Sequence, residues 1–213
     1  MTSAWRASPI WNGQTAYIIG GGPSLLTQDL SLLKGKNVIV INSSYMIFPE
    51  AQFLLFSDMR WWCLHIKAKE MQAFKGTIIA TSASASGPRL VKMQRQTKPG
   101  LATDVGTLMV RNTTLTAAIN LAVHLGVGKI VLLGIDQKTG EGGKHWHHDP
   151  HPWRPTSNCF QRQQTDLPKV AEDLKALNIE CVNASPGSAL TLWPVVNLED
   201  HVELERTLDI AAA

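Results

Sequence analysis

An α/β fold, with a mainly parallel sheet and helices on both of its faces, follows from three observations on this sequence. Short β-branched apolar runs alternate with helix-length amphipathic stretches. The runs are nearly continuous in apolar residues, as strands buried on both faces must be. Five of the six run directly into small polar or acidic residues, which is what carboxyl ends facing a ligand crevice look like in an open α/β sheet.

The six predicted strands are 16–20 (AYIIG), 37–41 (NVIVI), 52–56 (QFLLF), 76–80 (GTIIA), 129–134 (KIVLLG) and 179–183 (IECVN). Apolar spacing predicts helices at 24–33, 114–125 and 167–177, the first two stopped by Gly35 and Gly126 as C′ glycines. A last helix is predicted at about 197–208. Two stretches, about 81–107 and 137–165, read as long irregular excursions. No repeat or linker interrupts the chain, so the 213 residues read as one domain.

With 44% hydrophobic and 17% charged residues, the chain can bury a sizeable core and fits no disorder class. Its apolar runs fall far short of the ~20 residues needed to cross a bilayer. The N-terminus MTSAWRASPIW has no continuous apolar region of the signal-peptide kind, so a soluble, cytoplasmic protein is expected. Cys63, Cys159 and Cys181 are odd in number and widely spaced, which suits reduced thiols better than a disulfide framework or a paired-cysteine zinc site. A net charge of +3 is too small to argue for nucleic acid but suits an anionic small molecule. Monomer and homo-oligomer both remain open.

Three motifs carry chemistry. In YIIGGGPSL, a strand passes through Gly20, Gly21 and Gly22 into a helix opening at Pro23 and Ser24. Backbone N–H groups at such a helix start can bind phosphate, and Ser24 can add its hydroxyl; a tight turn with no ligand is the alternative. In VRNTTLT, Arg111, Thr113 and Thr114 open a second helix, where a threonine is a natural N-cap and the three together can serve a phosphate or a ribose. Asp58 and Asp136 each close a strand, a position that suits a metal, a ribose hydroxyl or a turn cap.

The third motif, GKHWHHDPHPW at 143–153, holds four of the seven histidines. It lacks structural zinc spacing, although His145, His147 or His148 with Asp149 or His151 could take a divalent ion. Trp146 and Trp153 could stack a base or anchor the loop. Histidine and tryptophan concentrated after a strand-end aspartate favour a functional loop over a surface accident. His65 and His124 read as structural.

In their order, YIIGGGPSL, VRNTTLTAAINLAVHLGVGKIVLLGID and TDLPKVAEDLKALNIECVNASPGS resemble two related groups. One is the bacterial sialyltransferases of glycosyltransferase family 42. The other is the DUF115 family, with its archaeal 6-hydroxymethylpterin diphosphokinases and many phage proteins. The resemblance spans Tyr17 to Ser188 and implies a Rossmann-like fold with a nucleotide at the strand ends. It matches Gly20, Gly22 and Ser24 to the glycine loop, Asn42 to an asparagine at the nucleotide, and Arg111, Thr113 and Thr114 to residues lining the site. Two positions depart from it. Gly21 stands where the sialyltransferases have asparagine, and Gln161 where their catalytic histidine lies. Glutamine cannot take a proton from a hydroxyl at neutral pH, which leaves the histidine stretch just upstream to supply the base. The His-Trp-His form of that stretch looks most like the phage members of DUF115.

The leading expectation is a nucleotide-dependent, glycosyltransferase-like enzyme that uses a nucleoside-phosphate sugar and a small-molecule or glycan acceptor. Gly20, Gly21, Gly22, Ser24, Thr113 and Thr114 would hold phosphates, with Arg111 at a phosphate or ribose, and Asn42 and Asp58 would hold the nucleoside. Asp136 with His145, His147 or His148 would stand at the reacting end. Two alternatives stay open: an ATP-dependent diphosphotransferase, with Mg²⁺ or another divalent metal on Asp58 and Asp136, and a non-catalytic nucleotide-binding phage accessory protein.

Overall fold

The computed structural model describes residues 4–139, 143, 145–147 and 158–212, the last five as backbone only. The chain starts with β1 (Thr15–Ile19), β2 (Asn37–Ile41) and β3 (Phe53–Phe56), followed by the short helices α1 (Met59–His65) and α2 (Lys69–Ala73). Next come β4 (Thr77–Ala80), β5 (Leu90–Lys92), β6 (Gln94–Gln96), β7 (Thr107–Met109), α3 (Thr114–His124) and β8 (Lys129–Leu133). The chain closes with α4 (Cys159–Gln164), α5 (Leu167–Ala176), β9 (Glu180–Asn183) and α6 (Leu198–Ala212).

Among the described residues, seven strands form one sheet in the order β5-β4-β3-β2-β1-β8-β9, and every neighbouring pair is parallel. This is the expected Rossmann-like α/β architecture. The chain winds outward from β1 to β5, then returns to the other side of β1 with β8 and β9. The reversal between β1 and β8 is the topological switch point, where such sheets open a crevice at their carboxyl ends.

Strand residues alternate between two cores. Ala16, Ile18, Ile39, Leu55, Ile130 and Leu132 face the buried side of α3 and α5, with Trp11 and Trp193. Tyr17, Ile19, Val40, Leu54, Phe56 and Leu133 face Tyr45, Trp61, Trp62, Phe74 and Val202 of α6. Both faces are therefore covered, which explains why the strands read as unbroken apolar runs.

The predicted helix at 24–33 is two separate 3₁₀ turns, Pro23–Thr27 and Leu30–Leu33. Between them Gln28 is extended, and the Asp29 carboxylate accepts a hydrogen bond from the Ser31 N–H at 3.0 Å. That local bond competes with continuation of the helix, as short polar side chains do. The stretch 81–107 is more ordered than expected. It adds β5 to the sheet edge and pairs β6 with β7, and buried Asn120 of α3 pins it by accepting from the Ala102 and Met109 N–H groups. His124 is structural as predicted: its Nε2 lies 2.9 Å from the Thr107 carbonyl, and burial lowers its pKa. The other excursion, 137–165, contains α4. No helix among the described residues is long and apolar enough to cross a membrane.

The C-terminal helix is tied to the sheet by a polar cluster. The Tyr17 hydroxyl donates to Glu205 Oε2 at 2.5 Å and Lys36 Nζ to the same oxygen at 3.1 Å, while His201 Nε2 stands 3.6 Å from Oε1. Burial raises the Glu205 pKa, but His201, Thr15, Tyr17 and Lys36 together outweigh it and hold the carboxyl well below its usual value. A depressed folded-state pKa contributes stability that is whole above the unfolded value, about 4.3, and is lost as pH falls below it. Urea midpoints are therefore expected to drop between about pH 5 and pH 3, and to drop less in Glu205→Gln.

Candidate active site

The register places the glycine turn. Ile19 pairs with Leu133, so Gly20 and Gly134 follow side by side at the switch point. The Gly20 N–H donates to the Leu133 carbonyl at 2.8 Å and the Gly22 N–H to the Gly134 carbonyl at 2.7 Å. A Cβ on Gly22 would lie 2.5 Å from the Asp136 carboxyl carbon and 2.7 Å from the Gly134 oxygen, and one on Gly20 would strike Ile135. The glycines are therefore needed for two backbones to pass each other.

Ser24 and Asp136 face one another. The Ser24 N–H donates to Asp136 Oδ2 at 2.9 Å and its hydroxyl to Oδ1 at 2.5 Å. The protein's own carboxylate thus occupies the first free N–H of the turn, where phosphate was expected. The helix on which that expectation rested is only a five-residue 3₁₀ turn. The Asp136 turn is fixed from behind by the segment after β9: Ser185 accepts from the Ile135 N–H at 2.8 Å, and the Ala189 N–H donates to the Asp136 carbonyl at 2.8 Å.

Above these strand ends lies a crevice of two lobes. The larger, about 500 Å³, is walled by Asn42, Ser57, Asp58, Trp61, Arg95, Arg111 and Arg162, with His147 and Cys159. The smaller, about 210 Å³, is walled by Gly20, Gly22, Gly134, Asp136, Gln137 and Lys138. Gly21, Thr113, Thr114 and His145 line both. Every described residue of the predicted site except Ser24 therefore lines this crevice, while His148 lies outside the described residues.

Asn42 follows β2 with φ +50°, a left-handed conformation that asparagine tolerates better than most residues, and its Oδ1 is buried without a hydrogen-bond partner. Ser57 Oγ and Gln137 Oε1 are also buried and unpartnered, and Gln137 has φ +53°. Asn42 lines both lobes, Ser57 the larger and Gln137 the smaller, so each lobe presents two buried polar atoms that have no partner among the described residues. Asp58 caps α1, accepting from the Arg60 N–H at 2.8 Å and facing the Arg60 guanidinium at 3.3 Å. Thr113 caps α3 by accepting from the Leu115 N–H at 3.2 Å. Buried Asp166 holds the second-motif segment, accepting from the Asn112 N–H at 3.0 Å and lying 3.3 Å from Arg111.

Trp146 anchors the histidine stretch. Its backbone N–H donates to the Gly21 carbonyl at 3.0 Å and its ring packs against the second core, the anchoring role rather than the base-stacking one. The residues on either side of it line the crevice: the His145 and His147 rings stack with centroids 5.3 Å apart and planes 13° from parallel. An alanine Cβ at Gly21 would lie 3.1 Å from His145 Nδ1. Gln161 is exposed and lines neither lobe, although Phe160 and Gln163 on the same helix line both.

Asp58 and Asp136 line different lobes, and each is engaged by the protein itself, Asp58 by Arg60 and Asp136 by Ser24. Among the described residues, no three His, Cys, Asp or Glu side chains form a metal-binding group. Sequence reasoning missed Arg95, Arg162 and Trp61. Arg95 and Arg162 fall in the two excursions, where no strand end or glycine turn flags a position.

Fold and site together define a class: a Rossmann-like α/β protein with a polar, cation-lined crevice at its switch point. No protein-family model, curated protein or solved structure matches the chain.

Proposed function

We propose that the protein is a nucleotide-dependent transferase of glycosyltransferase-like character, taking a nucleoside-phosphate sugar as donor and a small-molecule or glycan hydroxyl as acceptor. The observation that carries this reading is the stacked His145–His147 pair on the wall of a crevice that also holds the orphaned Asn42 oxygen and three arginines. The arginines suit phosphate, the orphaned acceptor suits a nucleoside N–H or O–H group, and an imidazole suits the proton transfer that group transfer needs. In the transfer step the acceptor oxygen bonds to the sugar carbon as the bond to the donor phosphate breaks. A histidine removes the acceptor proton or protonates the departing phosphate. Such a reading places the protein in the cytoplasm, where nucleotides are available.

A thermal-shift screen with CMP, UDP, GDP, ADP, ATP and nucleotide sugars tests it. A nucleotide at about 100 times its Kd stabilises the folded state by about 2.7 kcal/mol, an increase in Tm of roughly 5–10 °C for a chain of this size. A shift with one nucleotide family, followed by transfer or slow hydrolysis of the matching donor, is the expected result. No shift with any nucleotide would sink the reading. Binding confined to ATP with Mg²⁺ would favour diphosphoryl transfer, and binding without turnover an accessory role.

A further inference from the structure

We propose that the larger lobe, and not the glycine turn, holds the anionic end of the ligand, and that this end carries two linked phosphate groups. In what it says of the nucleoside, the proposal rests on the nucleotide reading above. The charge pattern itself does not depend on it.

Three arginines reach the larger lobe from three separate elements: Arg95 from β6, Arg111 from the turn after β7, and Arg162 from α4. Exposed arginines alone mean little, since a solvated charge needs no partner. What distinguishes Arg95 and Arg162 is convergence without compensation. Arg111 is already balanced by buried Asp166 at 3.3 Å. Arg95 donates its Nε–H to the Val110 carbonyl at 3.2 Å, which orients the guanidinium without cancelling its charge. Among the described residues, no acidic side chain pairs with Arg95 or Arg162. Among the described residues, the one carboxylate on this wall is Asp58, which is drawn to Arg60. Among the described residues, two positive charges without an acidic partner therefore face the lobe, beside His145 and His147.

The smaller lobe has the opposite character. Its turn N–H at Ser24 is taken by the Asp136 carboxylate, which would repel a phosphate brought to the glycines. Lys138 is its single Lys or Arg among the described residues. A ligand with two linked phosphates is thus favoured in the arginine lobe, and its less charged end is left for the lobe of Gly22 and Gln137.

Calorimetric titration with inorganic phosphate, inorganic pyrophosphate and the pairs AMP/ADP, CMP/CDP, GMP/GDP and UMP/UDP, at low and high salt, tests this. Pyrophosphate and one diphosphate should bind at least about tenfold more tightly than their singly phosphorylated counterparts, with a preference that shrinks as salt rises. Arg95→Gln and Arg162→Gln should each weaken the diphosphate by about tenfold, whereas Lys138→Gln should leave the preference intact. Circular dichroism and Tm confirm folding, which these exposed side chains do not support. If Lys138→Gln abolishes the preference and the arginine variants keep it, or if mono- and diphosphates bind alike, the proposal falls. If pyrophosphate binds through the arginines and no nucleoside improves on it, the charge assignment stands and the nucleotide reading falls. If no probe binds, both fall.

Discussion

Alanine at position 22 is expected to destabilise the protein by about 3 kcal/mol or more, because its Cβ would meet a backbone oxygen that cannot give way. Gly22 has φ −70° and ψ 149°, a conformation open to any residue, so the penalty is one of room and not of backbone freedom. The 2.7 Å to the Gly134 carbonyl can grow only if β1 and β8 separate at their ends. The same movement breaks the Gly22–Gly134 hydrogen bond and pulls Ser24 from Asp136. Gly21→Ala supplies the contrast. Its Cβ would meet only the His145 ring, at 3.1 Å, and a side chain can shift by a few tenths of an ångström. Urea unfolding should show a much lower midpoint for Gly22→Ala at unchanged slope, and a near-normal midpoint for Gly21→Ala. The second variant should act on turnover, through the displaced imidazole.

That contrast shows which part of the site is legible in the sequence. Strand ends were readable because burial on both faces writes β1, β2, β3 and β8 as unbroken apolar runs, and parallel order then brings Gly20, Asn42, Asp58 and Asp136 to one edge. The purpose of GGGPS was not readable. Glycines that admit a phosphate and glycines that admit a neighbouring backbone look alike until the register sets Gly20 beside Gly134. The 3₁₀ turns at Pro23–Thr27 and Leu30–Leu33 keep the apolar spacing of a helix, and they are separated by the extended Gln28, whose side chain donates to the Ala184 carbonyl, and by the Asp29 side-chain bond. The short strand β6 is Gln-Arg-Gln and is held by β7, so its tertiary setting overrides propensity. Arg95 was hidden for the same reason, and Arg162 because it lies on a short helix inside an irregular excursion, where no strand end marks a position.

His145→Ala is expected to lower turnover of the donor identified by the nucleotide screen by about 10²–10⁴-fold, the range for loss of a positioned general acid or base. His147→Ala should cost less. His145 lines both lobes beside Gly21, so its ring stands where donor and acceptor would meet, while His147 lines the larger lobe alone and backs His145 by stacking. If His145 carries the proton, kcat should fall with KM little changed; if it only contacts phosphate, KM should rise with kcat preserved. Gln161 allows a further check. Its side chain is exposed and outside both lobes, so Gln161→His should not restore activity to His145→Ala, although the family resemblance would place the base there. Rescue by that double variant would move the proton transfer to α4 and leave the stacked histidines as anion contacts. Without rescue, the chemistry stays with the imidazole that Trp146 holds against the glycine turn.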